Sequence, residues 1–248
     1  PRTGMEKQTA RGSLAREHQE ERRLAMSSHQ TTGAVHITPP AFETIKILIR
    51  GTAPLVIERF SKKAELMAKM QEGSTAKSKK VRTARDYEKD AEDARYRADG
   101  EEWEGVNAAA FRAGMISACR LVGFKMTLAK LSVFVVADGF DKIDGLPLVR
   151  IYGASQTLTA HTRNATGVVD VRSRPQYRDW ACVLRVKYDT SQFKQQDVVN
   201  LIARVGGQVG IGAGRPDSKS SAGCGWGTFE IVPTSAAHAV CNHFGIEA

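Results

Sequence analysis

The stretch 206–232, GGQVGIGAGRPDSKSSAGCGWGTFEIV, constrains this chain more than any other. Eight glycines stand at 206, 207, 210, 212, 214, 223, 225 and 227, and an apolar run from Phe229 to Val232 follows. The pattern is a glycine-rich loop feeding a strand. Glycine adopts positive φ without a steric cost and lets backbone N–H groups approach another backbone or a phosphate. Arg215 and Lys219 lie in the same loop, so a polyanion is one natural guest, and a hairpin connection with no ligand is the other reading. Dinucleotide and phosphate-loop fingerprints do not fit. Gly210, Gly212 and Gly214 lead into Arg215-Pro216 rather than a helix, and the stretch contains no Gly-Lys-Ser/Thr.

A net charge of +9 over 248 residues favours a polyanionic partner such as nucleic acid over a neutral metabolite. Cys119, Cys182, Cys224 and Cys241 are scattered without a Cys-x-x-Cys pair, which implies reduced thiols, a cytoplasmic setting, no zinc knuckle and no disulfide framework. No apolar run reaches membrane-spanning length and no secretory pattern opens the chain, so neither a membrane partner nor a secretory signal is expected. No cofactor is implied.

Residues 1–38 are polar and charged and read as an N-terminal arm; 39–248 read as one domain. Ile45, Ile47 and Ile49 alternate with Thr44, Lys46 and Leu48, a strand over 43–49. Residues 61–105 read as an insertion: eleven Lys/Arg and seven Asp/Glu between 62 and 97, with few large apolar groups, cannot build a core. Lys77, Lys79, Lys80, Arg82 and Arg85 make it a candidate basic finger for a phosphate backbone, against the plainer reading of a solvated charged loop or helix pair. A helix is predicted over 107–124, with Asn107 as its cap and Gly123 near its stop. Strands follow at 131–137 and 146–152. Residues 153–178 form a second insertion, rich in Thr and Ser, in which only Asp170 counters Arg163, Arg172 and Arg174; it is the second candidate binding element. A strand at 180–188, a helix at 191–205 and a strand at 228–232 complete the set.

Taken as strand 43–49, helix 107–124, strand 131–137, strand 180–188, helix 191–205 and strand 228–232, the order is β-α-β-β-α-β. The expected fold class is therefore α+β, a ferredoxin-like, RRM-like core with long insertions, its elements in about 42–60, 107–152 and 180–232.

A glycine-rich loop between the second helix and the last strand of such a unit, here VGIGAGRPDSKSSAGCGWGTFEI, resembles the RAMP superfamily of repeat-associated RNA-binding proteins of CRISPR systems, and its backbone subunits in particular. APLVIERF at 53–60, DVRSRPQY at 170–177 and the glycine-loop ending are similar to phage and prophage proteins. The resemblance covers about 42–232. It implies that Gly210, Gly212, Gly223, Gly225 and Gly227 approach a nucleic-acid backbone and that copies of the chain assemble side by side in a host cytoplasm.

The expected function is non-enzymatic binding of single-stranded RNA or DNA by a homo-oligomer or filament. Arg163, Arg172, Arg174, Arg215 and Lys219 would hold phosphates, amides of Gly210, Gly212 and Gly225 would follow the backbone, and Trp226 would stack on a base. Trp103, Tyr152, Tyr177 and Phe229 are further stacking candidates, while Trp180 reads as core. The alternatives are a phage assembly protein with no nucleic-acid ligand, and a metal-independent ribonuclease using His161, with His36 a weaker candidate. His238 and His243 lack the partners of a metal site and read as a surface tail. Asp138, Asp141 and Asp144 read as a turn cluster.

Overall fold

The computed structural model describes residues 37–59, 86–163, 169–218 and 223–247. The chain divides into a unit Pro1–Pro39 and a unit Pro40–Ala248, and every element below belongs to the second. The architecture is mixed helix and sheet, with three antiparallel sheets.

The first sheet joins β1 (Phe42–Gly51), β5 (Val133–Val136), β10 (Ala181–Asp189) and β11 (Phe229–Ile231) in the order β11-β1-β10-β5. The β1/β10 register pairs Ile45 with Val186, Ile47 with Leu184 and Ile49 with Cys182. Because strand side chains alternate, this register gathers the branched and aromatic residues on one face. Two helices cover that face: α2 (Ala108–Ala118) with Phe111, Met115 and Ala118, and α4 (Gln195–Arg204) with Val198, Leu201 and Ile202. Burial of each Leu- or Phe-sized side chain here contributes roughly 1.5–3 kcal/mol. Asn107 caps α2, accepting from Ala109 N at 2.8 Å, and Gly123 at φ +67° ends the 3₁₀ turn Cys119–Val122 that continues it. Gly114 packs on a helix rather than on a sheet: a Cβ there would stand 2.8 Å from Cγ1 of Val205.

Other segments depart from the sequence expectations. The apolar run 131–137 is divided, since α3 (Met126–Ser132) carries exposed Leu131 and the strand begins only at Val133. Within 86–105 the chain does contribute core: α1 (Tyr87–Asp93) and β3 (Tyr96–Arg97) lead to β4 (Glu104–Asn107), and Tyr96, Ala98 and Trp103 are buried. β3, β4, β6 (Gly139–Phe140) and β7 (Pro147–Arg150) form a second sheet in the order β3-β4-β7-β6. Its corner is held by Arg59, whose guanidinium meets Asp141 at 2.5 Å and Asp144 at 2.9 Å. Asp141 also accepts from the backbone N–H groups of Arg97, Ile143 and Asp144, so this carboxylate closes its turn and pairs across the core at once.

The stretch 153–178 is not a loop. It folds as the hairpin β8 (Ser155–Arg163) and β9 (Val169–Tyr177), sheeted with β2 (Leu55–Val56) in the order β2-β9-β8. Nor is the C-terminus a tail: after Pro233, α5 (Thr234–Phe244) packs Val240 with Ala181 and Val232, while Leu48, Val183 and Phe244 join the same small core on the sheet face opposite α2 and α4. His238 and His243 are exposed on this helix, and His243 bonds Asp179 at 2.7 Å. No group of three or more potential metal ligands occurs among the described residues.

Candidate nucleic-acid interface

The last helix before the glycine loop does not end conventionally. α4 widens into a π-helical turn, Val205–Val209, before Gly210 turns the chain at φ +67°. Gly206 permits this, because a Cβ there would meet the carbonyl oxygen of Phe229 at 2.1 Å. Such π-turns recur beside functional sites, since they re-aim the residues that follow.

The loop is tied down mainly by its own amides. Gly210 N donates to Val205 O at 2.7 Å, Ile211 N to Gly227 O at 3.0 Å and Ala213 N to Val56 O at 2.9 Å. Cys224 N and Trp226 N both donate to Gly214 O, and Gly227 N donates to Pro54 O. The glycines are therefore needed first for backbone-to-backbone approach. The amides of Gly212, Gly214 and Gly225 have no partner among the described residues.

Between α2 and the start of this loop lies an open cleft of about 350 Å³, lined by residues that include Ser117, Arg120, Met126, Gly212, Arg215 and Asp217. Asp217 latches the loop to the helix. It accepts from Ser117 Oγ at 2.5 Å and from Arg120 Nη2 at 2.8 Å on both carboxylate oxygens. Those hydrogen bonds, from Ser117 first and Arg120 second, hold the Asp217 carboxyl below the usual carboxylate range. Arg215 donates to Gly212 O at 3.1 Å and meets no carboxylate within ion-pair distance among the described residues. Its charge also helps to hold the Asp217 carboxyl down.

Of the residues singled out from sequence, Gly210, Gly212 and Arg215 come together at this cleft. Trp226 is half-buried and lies against Gly214, where a Cβ would be 2.6 Å from its ring. Gly225 is exposed, with open space where a Cβ would be. Arg172 and Arg174 are on β9, and the expectation that their charge is nearly unopposed is corrected: Glu58 pairs with Arg174 at 2.8 Å and with Arg172 at 3.4 Å. β9 is linked to the loop through β2, whose Val56 pairs with Gln176 and accepts from Ala213 N. Arg163 ends β8. Lys77, Lys79, Lys80, Arg82, Arg85 and Lys219, with His36, lie outside the described residues.

Three of the stacking candidates are core instead: Trp103, Tyr177 and Phe229 are buried, as is Trp180. Tyr177 donates its hydroxyl to Glu104 at 2.5 Å, and Arg95 donates to the same carboxylate at 2.7 Å. Tyr152 is half-buried with the Arg150 guanidinium 4.7 Å over its ring. His161 is exposed on β8, opposite Val171. Ser117, Arg120 and Asp217 escaped sequence reasoning. Their only local signal is that Ser117 and Arg120, three apart, share a helix side, while Asp217 joins them from far along the chain.

No protein-family model matches the chain, and no curated protein matches it significantly.

Proposed function

We propose that this protein binds single-stranded nucleic acid without cleaving it, by its glycine-loop cleft, and that copies assemble side by side along the strand. The carrying observation is the cleft between α2 and the loop, where Arg215 stands beside a Ser117–Arg120–Asp217 latch with no carboxylate within ion-pair distance among the described residues. A guanidinium presented at a groove that is also lined by Gly212, whose amide has no partner among the described residues, suits a phosphodiester. The net charge of +9 adds long-range attraction.

The fold we infer for the first sheet is ferredoxin-like. Its supports are the strand order β11-β1-β10-β5, with every neighbour antiparallel, and the placing of α2 after β1 and α4 after β10. A glycine loop before the last strand of that unit is the feature that relates the chain to the RAMP superfamily and to phage proteins.

The test is to purify the full chain without nuclease, record its ultraviolet absorbance ratio and mass, and titrate it with labelled single-stranded RNA and DNA. Co-purifying nucleic acid, and binding that weakens on Arg215→Gln, support the reading. Clean protein that assembles and binds neither strand at low salt overturns it in favour of an assembly protein with no nucleic-acid ligand.

A further inference from the structure

The outer face of the first sheet is covered only in part. α5 packs over the half that holds Leu48, Ala181 and Val183. On the same face, toward the start of β1, the register brings Phe42, Thr44 and Lys46 of β1 beside Arg185, Lys187 and Asp189 of β10 and Phe134 and Val136 of β5. Phe42, Thr44, Lys46, Val136 and Lys187 are exposed, and Phe134 is half-buried.

Two phenylalanines on this surface are not explained by core packing, since the main core lies on the other face and neither ring joins the small core under α5. Their rings stand 5.9 Å apart, edge to face. One cation stands over each ring: Lys187 Nζ lies 4.6 Å from the Phe42 centroid, and the Arg112 guanidinium, which comes from α2 and donates to the carbonyls of Val133 and Lys130, lies 4.9 Å from that of Phe134. Of the acidic groups nearby, Asp138 pairs with Arg185 at 2.7 Å, while Asp189, opposite Phe42, accepts only from the neutral N–H and hydroxyl of Ser191. Lys46 and Lys187 meet no carboxylate within ion-pair distance among the described residues.

We propose that this open half-face, with Phe42 and Phe134 as platforms and Lys46 and Lys187 as phosphate contacts, stacks the bases of a bound single strand. The proposal rests on the nucleic-acid reading above and adds a second contact surface, remote in sequence from the glycine loop. A phenyl ring stacks on any base and a lysine ammonium meets any phosphate, so the surface takes a single strand with little regard to sequence. A duplex hides its base faces and is a poor guest.

The experiment compares the full chain and its Phe42→Ala, Phe134→Leu and Arg215→Gln variants by fluorescence anisotropy. The probes are an oligothymidylate of about 15 nucleotides and an abasic strand of the same length. Each phenylalanine variant is expected to weaken oligothymidylate binding about tenfold while changing abasic binding by less than about twofold, since stacking needs a base. Phe42 is exposed at the sheet edge, so its variant keeps the test valid if Phe134→Leu disturbs folding. Unchanged oligothymidylate binding in Phe42→Ala, with Arg215→Gln still defective, overturns this inference and leaves the glycine-loop reading standing. Equal losses on both probes, or a changed mass by light scattering with base binding intact, also overturn it, the latter marking a face between copies. If the unaltered chain binds neither probe at low salt, the parent reading has failed and this one falls with it.

Discussion

Gly227 and Ile211 close the glycine loop at a distance that only a glycine at 227 tolerates: a Cβ on Gly227 would stand 1.8 Å from the carbonyl oxygen of Ile211, whose own N–H donates to Gly227 O at 3.0 Å. Gly227 also sits at φ +68°. Gly227→Ala is therefore expected to cost more than about 2 kcal/mol, combining left-handed strain with a backbone clash. Gly225 has nearly the same φ, +71°, but open space around it, so Gly225→Ala should cost about 1 kcal/mol. Thermal unfolding of both variants checks this. Equal losses would show that the close approach contributes nothing.

Arg59 and Asp141 make the most buried ion pair among the described residues, with side chains 3% and 0% exposed. Asp141→Ala removes one of the two carboxylates on the Arg59 guanidinium, leaving Asp144, and unpairs three backbone N–H groups. The expected loss is about 3–5 kcal/mol in urea unfolding. Arg50→Gln, which breaks an exposed pair with Asp179, should cost less than about 1 kcal/mol. Similar midpoints for the two variants would contradict the structural weight given to Arg59.

The sequence made the sheet-forming elements legible and hid what joins them. The Ile45, Ile47, Ile49 alternation, the Asn107 cap and the apolar stripe of 195–204 each report a local period, and each corresponds to an element. The hairpin 155–163/169–177 did not register because Thr157, Thr159 and Ser173 leave it without an apolar alternation, even though Thr159 and Ser173 bond across the strands at 2.8 Å. At 131–137, Leu131 and Val133 read as one strand although a helix ends between them. Glu58, two residues past β2, pairs with both Arg172 and Arg174 of β9. That pairing, like the Ser117–Asp217 latch, is a long-range contact with no sequence period behind it. The glycine loop was legible as a place where backbones come close, and much of that closeness is to its own chain.

The Asp217 latch predicts a pH dependence. Its carboxyl lies below the usual range in the folded chain, so its contribution is present above the unfolded value, about 3.9, and is lost as pH falls through the folded one. Exposure of Arg120 and partial exposure of Asp217 keep the gain under about 1 kcal/mol. Limited proteolysis at the loop by an acid protease should accelerate as pH drops below 4, the ordinary carboxylate range. Asp217→Asn should show the faster cleavage already above that range. Identical pH profiles for the variant and the unaltered chain would remove the latch from the account.

The most direct measurement is the affinity of the full chain for a labelled single strand as a function of salt, with Arg215→Gln alongside. Log K is expected to fall linearly with log salt, and removal of one phosphate contact to lower the slope by about 0.7. An affinity independent of salt, or no binding even at low salt, would contradict the claim that the glycine-loop cleft holds a nucleic-acid backbone.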